Sequence, residues 1–105
     1  MPVLKVDGRE IELNEEGFLL HPEEWSEDVA RAIGARENVM ELSDAHWKVI
    51  LYLRDYYQHF RISPMLRKMS KDTGISLKEI ETLFPGRTAK LACKMAGLPK
   101  PAGCL

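Results

Sequence analysis

The side chains most open to covalent chemistry in this sequence are two thiols. Cys93 and Cys104 are the only cysteines among 105 residues, and Cys104 is the last residue but one. Between them run two glycines, two prolines and two lysines. A thiol so near a terminus has little chain around it from which to build a core, so it suits reaching into another protein better than packing. Gly97, Pro99, Pro101 and Gly103 do not readily continue a helix, and the prolines favour extended backbone. Full extension of the segment after Cys93 would span at most about 40 Å. Gly103 leaves the backbone beside the thiol free to bend. The segment can therefore swing outward, or fold back so that Cys104 meets Cys93 at a modest closure entropy. Lys94 and Lys100 favour thiolate, the reactive form, while the terminal carboxylate opposes them. A redox pair on a mobile arm explains these features better than chance does. A static disulfide would tie down only a tail. No secretory signal precedes the chain, which points to a reducing, cytoplasmic setting where such bridges are rare.

No other constellation competes. His21, His46 and His59 are scattered and lack metal-ligand spacing, and two cysteines cannot complete a four-thiolate zinc or iron–sulfur site. No metal and no cofactor of its own is expected. His46, in the first turn of a helix, reads as a surface residue. Ser26, Ser43 and Ser76 read as helix caps rather than nucleophiles, and no glycine-rich phosphate loop is present.

The length suits one domain over residues 1–105. The sequence is 45% hydrophobic and 30% charged, ordinary for a globular chain. No apolar run is long enough to cross a bilayer, so no membrane insertion is expected. The net charge of −1 hides an asymmetry, with five Lys/Arg against twelve Asp/Glu in residues 1–50 and ten against four in residues 51–105. The basic half surrounds the cysteines, where it can draw an anionic partner or anionic sulfur species.

The elements that must position the cysteines follow from periodicity and caps. Residues 3–13 read as a β-hairpin turning at Asp7-Gly8, with Leu4 opposite Ile11 and Val6 and Leu13 on the same face. Trp25 is expected as an anchor under the first helix. Ser26 caps that helix, whose apolar stripe is Val29, Ala32 and Ile33. Ser43 caps a longer helix to about Phe60, burying Trp47, Ile50, Leu51, Leu53 and Tyr57. Ser63-Pro64 opens another that ends at Gly74. Ser76-Leu77-Lys78-Glu79 is a capping box for a short helix stopped by Pro85. Thr88 caps a last helix holding Leu91, Ala92 and Cys93 and closed by Gly97. The fold class is mainly α: about five short helices over residues 22–96, an N-terminal hairpin, and a mobile C-terminal arm over 94–105.

Residues 63–84 also admit a helix-turn-helix reading, with Arg67, Lys68, Lys71 and Lys78 as its cations and DNA as its partner. The second helix carries one lysine and two glutamates, a poor surface for phosphates.

The segment Cys93-Lys94-Met95-Ala96-Gly97-Leu98-Pro99-Lys100-Pro101-Ala102-Gly103-Cys104-Leu105 closely resembles the C-terminal arm of the DsrC/TusE family, which includes the gamma subunit of dissimilatory sulfite reductase and the TusE sulfur-relay protein. The resemblance extends upstream through Asn14-Glu15-Glu16-Gly17-Phe18-Leu19, Pro22-Glu23-Glu24-Trp25 and His46-Trp47. It continues through Leu53-Arg54-Asp55-Tyr56-Tyr57, Ile62-Ser63-Pro64-Met65 and Leu83-Phe84-Pro85. It implies a small orthogonal helical bundle with a β-hairpin. It implies a sulfur carrier, acting as co-substrate rather than stand-alone catalyst, that holds sulfur on the penultimate cysteine, here Cys104, as a persulfide. Members that serve sulfite reductase keep the upstream cysteine, here Cys93, which would attack the adduct and release sulfide or hold the sulfur as a bridge. Relay-type members, serving tRNA thiolation, generally lack that second thiol, and many relay-type and sulfur-oxidiser sequences carry a short insertion before the penultimate helix that is absent here. Both features favour the two-cysteine branch. The family usually has Gly-Pro where this chain has Gly86-Arg87-Thr88. Implied partners are the reductase catalytic subunits, other sulfurtransferases and thiol–disulfide oxidoreductases. Arg87, Lys90, Lys94 and Lys100 are candidates for docking the arm into an anionic channel.

Overall fold

A computed structural model of the chain describes residues 3–99; Lys100 and Cys104 lie outside them, as does most of the expected arm. Strands β1 (Val3–Val6) and β2 (Arg9–Glu12) are followed by a single 3₁₀ turn at Pro22–Glu24. Five helices follow, α1 (Glu27–Arg36), α2 (Asp44–Phe60), α3 (Leu66–Thr73), α4 (Leu77–Leu83) and α5 (Thr88–Met95).

The hairpin has the expected register, with Leu4 paired to Ile11. Asp7 and Gly8 both hold positive φ, at 52° and 78°, the geometry a type I′ turn demands. Leu4, Val6, Ile11 and Leu13 are all buried against the helices. Beyond the hairpin Leu13 bridges to Leu19, an extension that alternation did not reveal. Asn14 makes it, its Oδ1 accepting from the backbone of Glu16 and Phe18 and so closing the turn through a side chain.

Ser26 caps α1 by accepting from the Val29 amide, and Ser76 caps α4 by accepting from Glu79. Two helix starts differ from the pattern reading. α3 begins after Met65 rather than at Pro64, which is buried in the preceding turn. α5 is preceded by Arg87, not capped by Thr88, because the Thr88 hydroxyl donates to the Phe84 carbonyl at 2.8 Å and seals the end of α4. His46 is not a surface residue. Its Nδ1 accepts from the Ser43 amide at 3.0 Å and its Nε2 pairs with the Leu83 carbonyl at 2.9 Å, so the imidazole completes the α2 capping box and ties it to the end of α4. Leu51 is 51% exposed, outside the buried face of α2.

Helix α5 packs on α1 and α2, and α3 bridges α2 to α4. The exposed surface of α4 presents Lys78, Glu79, Glu81 and Thr82, two acids to one base. Among the described residues no helix is long and apolar enough to cross a membrane.

Candidate functional site

Alanine, leucine, lysine and methionine make α5 a good helix former. It is also enveloped: residues 91–98 are all buried. The helix ends at Gly97, whose φ of 75° is the left-handed conformation glycine tolerates best. A Schellman motif closes it, with the Leu98 amide donating to the Cys93 carbonyl at 3.0 Å and the Gly97 amide to the Lys94 carbonyl at 3.2 Å.

Two terminal carbonyls remain, and two side chains from elsewhere take them. Trp25 donates its indole Nε1–H to the Met95 carbonyl at 2.8 Å. Arg54 donates from Nη1 to the Ala96 carbonyl at 2.8 Å. The Arg54 guanidinium lies 4.0 Å from the centre of the Trp25 ring, a cation–π contact that fixes both groups. Burial pulls the Arg54 pKa below its ordinary value, while the carbonyl end of α5 favours its positive charge. A Cβ at Gly97 would come within 2.5 Å of Trp25 Cδ1. Trp25 therefore anchors the end of the last helix rather than the underside of the first. The chain leaves for its C-terminus from a clamped point, beside a groove of about 550 Å³ that includes Leu19, Pro22, Arg54, Tyr57, Arg61 and Leu98.

Cys93 lies one turn before that clamp. It is 1% exposed, with Sγ 3.5 Å from the hydroxyl of Ser63 in the turn between α2 and α3.

The basic candidates separate into two kinds. Lys94 is buried; its Nζ lies 3.3 Å from Glu37 Oε2 and 5.5 Å from the centre of the Phe18 ring. Gly17 leaves it room, since a Cβ there would approach the ammonium to 3.3 Å. Lys90 Nζ pairs with Glu16 Oε2 at 2.7 Å. These pairs join the basic C-terminal half to the acidic N-terminal half, which gives the charge asymmetry a structural role. Arg87 is exposed, on the rim of a pocket of about 310 Å³ with Glu37, Gly86, Lys90 and Lys94. Among the described residues no cluster of His, Cys, Asp and Glu could hold a metal ion.

Sequence reasoning missed Trp25, Arg54 and Ser63 as neighbours of the thiol-bearing helix. One signal was available for Arg54, a cation three residues before Tyr57 on a helix otherwise rich in apolar residues. Nothing local marks Ser63.

The family model described as "DsrC like protein" matches residues 5–105. A protein of Haemophilus influenzae named "Sulfurtransferase TusE homolog" is 46% identical, over 98% of this chain and all of the relative. The "Sulfite reductase, dissimilatory-type subunit gamma" of Nitratidesulfovibrio vulgaris is 45% identical over 93% of each chain. The crystal structure of the oxidized gamma subunit of dissimilatory sulfite reductase from Archaeoglobus fulgidus superposes with a TM-score of 0.87 at 40% identity, covering 99% of this chain and 100% of that one.

Proposed function

The chain belongs to the DsrC-like family, and from that premise we propose that it is a cytoplasmic sulfur carrier whose Cys104 takes up a sulfur atom as a persulfide and whose Cys93 discharges it. The observation that carries this reading is the position of Cys93, one turn before the clamped exit of the C-terminal segment. Cys104 lies seven residues beyond Gly97, a contour of at most about 25 Å. Cys93 lies four helical residues before it, about 6 Å along the axis. Covalent length alone lets the two sulfurs approach to disulfide distance.

In the discharging step the Cys93 thiolate attacks the Cys104 sulfur that carries the adduct. The bond to the outer sulfur breaks, that sulfur leaves as hydrosulfide, and a Cys93–Cys104 disulfide forms. The outer sulfur gains the two electrons that the thiols lose. An external dithiol, of the thiol–disulfide oxidoreductase class, then returns the pair to thiols. Intramolecular attack exceeds attack by a free thiol at ordinary concentration. Burial of Cys93 keeps it from solution oxidants and reserves it for sulfur delivered by its own chain. The protein needs no cofactor of its own; redox centres belong to its partner.

Two features support the reductase-type co-substrate. Both cysteines are present. The alignment to the Haemophilus relative runs over 111 positions against a chain of 105 residues, so that relative carries residues this chain lacks. A second reading, a link in a sulfurtransferase relay, is favoured by the 46% identity to the same protein. In a relay Cys93 is dispensable for onward transfer; in a reductase co-substrate it is required for turnover. Of the candidates Arg87, Lys90 and Lys94, Arg87 is the exposed one, adjacent to the pocket at the start of α5, and is assigned to meet an anionic partner; Lys100 is assigned the same role by its place between the cysteines.

Incubation with a persulfide donor and intact-protein mass spectrometry test the proposal. Wild type should gain single sulfur atoms, Cys104→Ala none, and Cys93→Ala an adduct that persists. Failure of Cys104 to accept sulfur from any persulfide donor eliminates the carrier role. Duplex binding that survives removal of residues 94–105 and falls steeply with salt would replace it with the DNA-binding reading.

A further inference from the structure

Ser63 is the side chain that the mechanism leaves without a role, although its hydroxyl lies against the sulfur the mechanism depends on. Cys93 Sγ is 3.5 Å from Ser63 Oγ. The cysteine is 1% exposed and sits in the apolar core with Met95 and Leu91. An apolar enclosure disfavours thiolate, the form that attacks. A hydroxyl is a donor and an acceptor on one rotor, so it serves both states of the sulfur. It accepts from the S–H of the thiol and, after a rotation, donates O–H to the thiolate. A backbone carbonyl at this position would support only the thiol, and a methyl group neither.

The turn that carries Ser63 is built to hold it there. Arg61 ends α2 in the left-handed conformation at φ 61°, with its amide bonded to the Tyr57 carbonyl at 2.7 Å. Pro64 is buried, and α3 begins only after Met65. Among the described residues, several ionisable groups on elements around α5 have partners of their own or are exposed. Lys90 and Lys94 pair with Glu16 and Glu37. Arg54 is held on the Ala96 carbonyl, Lys68 pairs with Asp72, and Arg61 is exposed. Tyr57 is half-buried on the groove side.

We infer that Ser63 is a positioning residue for the resolving thiol, keeping Cys93 able to ionise inside the core by donating its hydroxyl to the thiolate. The inference rests on the reading of Cys93 as the resolving cysteine and deepens it. The proton of Ser63 is not transferred. The hydroxyl orients the sulfur lone pair and stabilises its charge while the new S–S bond forms.

The experiment loads Cys104 as a mixed disulfide with a chromogenic aromatic thiol and follows ring closure. Cys93 thiolate attacks the Cys104 sulfur, the Cys93–Cys104 disulfide forms, and the aromatic thiolate leaves with its absorbance. The midpoint of the rate against pH reports Cys93 ionisation, while the plateau carries how readily the chain end finds its target. Ser63→Ala should raise the midpoint of that profile by about one pH unit and slow closure about tenfold near neutrality, the size expected for losing a hydrogen bond to a charged group. Ser63→Thr, which restores a hydroxyl, should return the midpoint toward wild type. Loading of Cys104, measured in the same samples, should be equal in all three proteins. An unchanged midpoint in Ser63→Ala, or a Ser63→Thr profile like that of Ser63→Ala, overturns the inference and leaves the carrier reading standing. Absence of closure in wild type removes Cys93 as the resolving thiol and overturns both.

Discussion

Substituting Gly97 by alanine tests the clamp at the end of α5. Two costs are expected. The first is conformational: a φ of 75° places an L side chain in the left-handed region at about 1–2 kcal/mol. The second is steric. The new Cβ would lie 2.5, 2.9 and 3.0 Å from Cδ1, Cγ and Cβ of Trp25, near the root of that side chain, so the indole must move. Moving it breaks the 2.8 Å bond to the Met95 carbonyl and disturbs the 4.0 Å stack with Arg54. Those losses are about 1 kcal/mol and about 0.5–1 kcal/mol. Gly97→Ala should therefore cost about 3 kcal/mol, a large part of the roughly 5–15 kcal/mol that holds such a domain together. Gly74 supplies the control. It ends α3 at φ 77°, and a Cβ there meets nothing within 4 Å. Gly74→Ala should pay the conformational cost alone. In thermal unfolding followed by near-UV circular dichroism, Gly97→Ala should lose roughly 10–20 °C and Gly74→Ala roughly 5–10 °C. The tryptophan signal of Gly97→Ala should also change below the transition. Melting points for the two variants within about 3 °C of each other, with an unaltered tryptophan signal, would refute the clamp.

Other consequences can be read from the same contacts. His46→Ala strands the Ser43 amide and the Leu83 carbonyl and removes an edge contact with Phe84 at 5.2 Å; a loss of about 2–3 kcal/mol in urea unfolding is expected. The Tyr52 hydroxyl donates to Asp72 Oδ2 at 2.6 Å and, with Lys68, holds that carboxyl below the usual 3.8. Its folded pKa is thus below the unfolded one, so this contribution is present above about pH 4 and lost as pH falls through the folded value. The stability gap between wild type and Tyr52→Phe, followed by melting temperature from pH 7 down to 2, should accordingly narrow below that point. Asp7 is the opposite case, since the neighbouring Asp28 raises its pKa and the ionised pair weakens the fold above that value. Asp7→Asn keeps a residue suited to the type I′ turn and should raise the melting temperature at neutral pH, with the gain vanishing in acid.

The hairpin, its register and the number of helices were legible in the sequence because they are local. Alternation, caps and turn residues act within a few positions, and Leu4, Ile11, Ser26 and Ser43 fall where those rules place them. The two thiols stand out in the sequence because a Gly/Pro segment between cysteines is unusual, and Cys104 lies outside the described residues. What escaped the sequence is held by partners far apart in the chain. Trp25 reaches Met95 across 70 residues, Arg54 reaches Ala96 across 42, His46 reaches Leu83 across 37, and Ser63 reaches Cys93 across 30. No periodicity encodes such pairs. His46 was misread because a histidine in a first turn usually faces solvent. Here it is buried between Ser43 and the Leu83 carbonyl, a place that its own helix does not specify.

The central claim is that one thiol loads sulfur and the other, within the same molecule, unloads it. The most direct test is a time course of sulfide release from purified protein persulfidated on Cys104, with no added thiol. Release should be first order, with a rate constant that does not change when the protein is diluted tenfold, and it should stop in Cys93→Ala. A first-order rate constant that falls in proportion to protein concentration, or release that proceeds equally in Cys93→Ala, would contradict it.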